Sequence, residues 1–87
     1  MNALEIYNRF RQRMKQYGDQ ELIGLFNKEV GKPGWGTARA CYLAAIHAEW
    51  TARGFDYSLV GDSQGLSFRH KVRLVDGVIK RVGYGIR

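Results

Sequence analysis

The chain has one cysteine and one proline in 87 residues, few acids, and no long apolar run. Each scarcity excludes something. A lone Cys41 forms no internal disulfide, so packing and hydrogen bonds must hold the fold. Its neighbours Ala40, Tyr42 and Leu43 mark it as a small buried hydrophobe rather than a reactive thiol. The longest uninterrupted apolar stretch, residues 40–46, is bounded by Arg39 and His47. It is far short of the roughly 20 residues a membrane-spanning helix needs, so no membrane partner is expected. The opening Met1-Asn2-Ala3-Leu4-Glu5 has an acid and no basic stretch ahead of an apolar one. No secretory leader is therefore expected, and the cytoplasm is the expected compartment. A chain of this size removes only about 60% of its unfolded surface from water, enough for one compact domain over residues 1–87 and no large catalytic scaffold.

What is abundant is positive charge: 14 Lys and Arg against 8 Asp and Glu, a net +6. Residues 9–15 hold Arg9, Arg11, Arg13 and Lys15 with no acid, and residues 69–81 hold Arg69, Lys71, Arg73, Lys80 and Arg81 against Asp76 alone. These two segments exceed the whole basic excess, because the remainder carries five basic and seven acidic groups. A striped basic surface of this kind attracts polyanions. It also keeps a small domain soluble and lays methylene stems over apolar edges, which charge alone does not distinguish from binding.

Hydrophobic spacing predicts three helices. Ala3, Ile6, Tyr7, Phe10, Met14 and Tyr17 fall at helical intervals, with Asn2 as a cap, Gly18 as a stop, Arg9 and Arg13 on one flank and Arg11 and Lys15 on the other. A second helix reads from Asp19 as its N-cap through Leu22, Ile23, Leu25, Phe26 and Val30 to Gly31. After the breaker Gly31-Lys32-Pro33-Gly34-Trp35-Gly36, a third runs from a Thr37 cap to Arg53, with Gly54 as its stop. On this helix Leu43, Ile46 and Trp50 share one face, and Cys41, Ala45, Ala48 and Ala52 the opposite one. It should therefore be buried at the centre of the molecule.

Beyond Gly54 the period changes to two. Residues 55–60 alternate, Gly61-Asp62-Ser63-Gln64-Gly65 reads as a turn, residues 66–75 alternate again, and Asp76-Gly77 is a strong hairpin signal. The expected fold is α+β: three N-terminal helices followed by a three-stranded antiparallel meander. In the register set by Asp76-Gly77, Phe68, His70, Val72, Leu74 and Ile79 face the helices, with Arg81 at the margin. Arg69, Lys71, Arg73 and Lys80 form a basic plate on the other face, interrupted by Val75, Val78 and Val82. Arg73 directly opposes Lys80, a pairing that normally destabilises a sheet and so points to an anionic partner.

Catalytic patterns fare poorly. Gly61-Asp62-Ser63-Gln64-Gly65 matches G-x-S-x-G, but a nucleophile elbow needs a strand before the serine and a helix after it, and here a strand follows. Gly31, Gly34 and Gly36 with Lys32 fit no phosphate-loop pattern, and Trp35 between two glycines is expected to plug the core. His47 and His70 have no cysteine or carboxylate at metal-ligand spacing, so no metal or cofactor is expected, and His70 is expected as a hydrogen-bonded histidine facing the helices. The ending 80–87 has the glycine and aromatic content of an RNA-recognition strand without the order of its motif. Three helices before a hairpin resembles a winged-helix DNA-binding module in topology only. The third helix offers Arg39, His47, Thr51 and Arg53 among mostly apolar residues, a poor surface for reading bases.

The expected function is a non-catalytic binding module contacting nucleic acid, mainly through phosphates. Arg69, Lys71, Arg73 and Lys80 would make the contact, Arg9, Arg13 and Lys15 would add field, and Tyr84 would be a stacking group. The alternative is a small inhibitor or adaptor that docks the same basic face on an acidic protein surface. A homodimer through the first helix or an unpaired strand edge is compatible with the pattern.

Overall fold

The structure, a computed structural model, describes residues 1–34 and 36–82. It is α+β, with helices α1 (Ala3–Met14), α2 (Asp19–Glu29) and α3 (Thr37–Ala52) followed by four short strands. These are β1 (Gly61–Asp62), β2 (Gly65–Leu66), β3 (Val72–Val75) and β4 (Val78–Arg81), paired as two separate antiparallel hairpins.

α1 starts at a capping box: the Asn2 side chain accepts from the Glu5 amide at 2.9 Å, and the Glu5 carboxylate accepts from the Asn2 amide at 3.3 Å. The other two helix starts differ by one residue from expectation. Gly18 and Gly36 occupy the N-cap positions, and Asp19 and Thr37 are the first helical residues. At the start of α2, Glu21 accepts from the Gly18 amide at 2.8 Å, while the Asp19 carboxylate is taken by Arg53. α3 ends in a Schellman motif, with the Phe55 amide donating to Trp50 O and the Gly54 amide to Thr51 O, both at 3.1 Å.

α3 packs on α1, α2 and β2 and buries Leu43, Ala45, Ile46, Glu49 and Trp50. Of its expected small-residue face, Ala45 is buried and Cys41 and Ala48 are half-buried, but Ala52 is exposed. The Cys41 thiol donates to Ala3 O at 3.4 Å, so the close approach to α1 occurs at this end of the helix. The core joins Met14, Leu22, Phe26, Ile46 and Trp50 from the helices to Val72 and Ile79 from the second hairpin, all essentially fully buried. Phe26 links two layers, with its ring 4.8 Å from Trp50 and 4.4 Å from Phe68 between centroids. The Trp50 indole N–H has no hydrogen-bond partner among the described residues.

The expected three-stranded meander is replaced by two two-stranded sheets, and the reason is local. Asp56 Oδ1 accepts from both the amide and the hydroxyl of Ser58, at 3.0 and 2.7 Å, and the Val60 amide closes a turn onto Tyr57 O at 2.9 Å. These short-range bonds curl residues 56–60 instead of extending them. Leu59 is thereby left exposed while Phe55 and Val60 are buried. One element of pairing survives, a parallel bridge between Asp56 and Val78, in which the Asp56 amide donates to Gly77 O and the Ile79 amide to Asp56 O, both at 2.8 Å. The expected continuous strand 66–75 is also broken. Phe68 stacks on Phe26 and its carbonyl accepts from the Gly31 amide at 3.1 Å, so the chain bends toward the end of α2 before β3 begins at Val72.

Candidate polyanion interface

The second hairpin is built around Asp76 and Gly77, whose φ angles of 51° and 77° are the two positive values a type I′ turn requires. The register follows: Val75 pairs with Val78, Leu74 with Ile79, Arg73 with Lys80 and Val72 with Arg81. The Val82 amide donates to Lys71 O at 2.9 Å, continuing the ladder by one pair. Side-chain alternation puts Val72, Leu74, Ile79 and Arg81 on one side, with Val72 and Ile79 in the core. Lys71, Arg73, Val75, Val78, Lys80 and Val82 lie on the other.

Both edges of this hairpin are engaged. Along β4, Asp56 occupies the outer edge as described. Along β3, the Asn27 side chain of α2 acts as a one-residue strand: its Nδ2 donates to Val72 O at 2.9 Å and its Oδ1 accepts from the Val72 amide at 2.8 Å. These bonds fix the core side of the hairpin against α2 and so direct the opposite side outward. Lys71, Arg73 and Lys80 are exposed, and Arg73 and Lys80 sit directly opposite each other with Cα atoms about 5.5 Å apart. Among the described residues none of these three makes an ion pair. Arg69 is exposed in the bend before β3, outside the ladder. Arg81 points to the core side, where its Nη2 donates to Leu59 O at 3.0 Å and ties down the curled segment.

Arg9, Arg13 and Lys15 are exposed, the first two on α1 and Lys15 at its C-cap. α1 packs on α3 whereas β3 packs on α2, so the expected site residues divide into two clusters on different supports. Tyr84 and Trp35 lie outside the described residues.

Sequence reading missed where the remaining arginines go. Arg53 Nε donates to Glu49 Oε2 and Nη1 to Asp19 Oδ1, both at 2.8 Å, and Nη2 donates to Met14 O and Tyr17 O at 3.0 and 2.7 Å. Arg11 reaches Glu49 Oε1 from α1 at 2.7 Å. Burial of Glu49 by itself would raise its carboxyl pKa, but the hydrogen bonds and charges of Arg53 and Arg11 outweigh that and hold it below the usual range. Arg39, weighed as a base reader, instead binds the Glu29 carboxylate at 3.1 Å and the carbonyls of Glu29 and Gly34. The available signal was Glu49 itself, an acid flanked by Ile46 and Trp50 in an apolar helix, with Arg53 four residues on.

The remaining polar candidates form ordinary local structure. Ser63 lies in the turn between β1 and β2, where Asp62 Oδ1 accepts from the Gln64 amide at 2.8 Å. His47 Nε2 is 2.9 Å from Asp62 O, and its ring meets Tyr57 edge-on at 5.2 Å. His70 is half-buried. Among the described residues no group of three His, Cys, Asp or Glu side chains could hold a metal ion, and no helix is long and apolar enough to cross a membrane. No protein-family model, curated protein or solved structure matches the chain.

Proposed function

We propose that this domain is a non-catalytic binding module for a polyanion, nucleic acid in the first instance, acting in the cytoplasm. Lys71, Arg73 and Lys80 contact phosphates from the outer hairpin face, Arg69 extends that face, and Arg9, Arg13 and Lys15 strengthen the field. The observation that carries this reading is the direct opposition of Arg73 and Lys80 without a carboxylate among the described residues, whereas Arg11, Arg39 and Arg53 are spent on Glu49, Glu29 and Asp19. Like charges facing each other across a ladder are repelled in the free protein and relieved when an anion sits between them. Every described aromatic side chain is buried or half-buried, so binding through phosphates with weak sequence preference fits better than base stacking. Tyr84 is the remaining stacking candidate.

The test is Lys71→Glu with Arg73→Glu, whose side chains point away from the core. The variant should keep its circular dichroism spectrum and lose binding to a mixed-sequence duplex. Undiminished binding would remove the hairpin face from the proposal. A second reading, docking on an acidic protein surface, is favoured by the valines beside the cations, of which Val82 is 45% exposed. On that reading the same variant loses a protein partner and the wild type ignores nucleic acid.

A further inference from the structure

The strongest unassigned surface lies on α1. Ile6, Arg9, Phe10 and Arg13 are spaced i, i+3, i+4, i+7 and, with Met1, line an open cleft of about 360 Å³. This stripe borders the contacts α1 makes with α3, which run from Ala3 to Cys41, Arg11 to Glu49 and Phe10 to Tyr42, so Phe10 packs on α3 along one ring edge while it also lines the cleft. Ile6 and Phe10 are only half-buried, and Met1 is 70% exposed. The Arg13 guanidinium lies over the Phe10 ring, 5.9 Å from its centroid, which keeps the charge at the cleft wall. Among the described residues neither Arg9 nor Arg13 has a carboxylate partner.

We infer that this stripe is a docking site for an acidic amphipathic helix of a partner protein. Two features select that occupant. The lining belongs almost entirely to one helical stripe, the footprint of helix-on-helix packing rather than of an enclosed small-molecule cavity. The apolar floor is walled by two arginines one turn apart, which match two carboxylates at i and i+4 on the incoming helix. Apolar residues of the partner fill the floor over Ile6 and Phe10, and its acids meet Arg9 and Arg13. The site lies on a different support from the hairpin face, and its two arginines reach the polyanion of the proposed function only through the field they add.

The experiment is an NMR titration of the isotope-labelled protein with a synthetic helical peptide carrying a leucine stripe flanked by glutamates at i and i+4. Amide shifts should be confined to α1 and its contacts on α3. Arg9→Glu with Arg13→Glu should weaken binding by about tenfold or more, and a peptide with lysines in place of the glutamates should recover affinity for that variant. Lys71→Glu with Arg73→Glu should leave the titration unchanged, which separates this site from the polyanion proposal. No shifts at about 1 mM peptide, shifts centred on the hairpin, or equal binding by the Arg9/Arg13 variant would each overturn the inference.

Discussion

Glu49 is the residue on which three helices converge. Its side chain is 7% exposed and holds Arg11 of α1 and Arg53 at the end of α3, and Arg53 in turn holds the last carbonyl of α1, the Tyr17 carbonyl in the connection that follows and the first residue of α2. Removing Glu49 leaves Arg11 without its acid and Arg53 with Asp19 and two carbonyls only, so Glu49→Ala should cost about 1–3 kcal/mol in urea unfolding at neutral pH. The folded carboxyl pKa lies below its ordinary value of 4.5. Its stabilisation is therefore fully present above that value and is lost as pH falls through the lower folded-state value. Unfolding midpoints between pH 7 and pH 3 should decline less steeply in Glu49→Gln than in the wild type; parallel declines would take Glu49 out of the acid response. None of this was visible in helical periodicity, which identifies a stripe but not which side chains on two stripes meet.

Among the elements, the Asp76-Gly77 hairpin was fully legible. Its turn residues fix the register, and the register fixes which side chains face out. The segment after α3 was not, because Asp56 and Ser58 offer the backbone a closer partner than a strand would. The Asn27 clamp was equally hidden, since an asparagine on a helix gives no sign of the strand it will meet. Asn27→Ala leaves the Val72 amide and carbonyl unpartnered and should cost about 1–3 kcal/mol. For a domain of this size that lowers the melting temperature by roughly 4–8 °C per kcal/mol. Faster exchange of the Val72 amide should accompany the loss; unchanged exchange would mean that the clamp is dispensable. The first hairpin depends on close backbone approach, since a Cβ at Gly61 would strike Gly65 O and Leu66. Gly61→Ala should open it by about 1–3 kcal/mol, read as loss of protection at the Ser67 amide, which bonds to Val60 O.

At the scale of the molecule, charge is sorted by use. Glu29, Glu49 and Asp19 are consumed by Arg39, Arg11, Arg53 and Lys32, and Glu5, Glu21, Asp56 and Asp62 accept from nearby amides. The basic residues of the outer hairpin face and of the exposed flank of α1 stand apart from that network. The hairpin cluster could be read from sequence because strand alternation is a local rule. The separation of the two clusters could not, because it follows from α1 choosing α3 and β3 choosing α2.

The central claim is tested most directly by binding of a mixed-sequence duplex at 50 and 200 mM salt. Neutralising three or four phosphates predicts an affinity that falls roughly 40- to 150-fold between the two conditions. An affinity independent of salt, or no binding at the lower salt, would contradict the account.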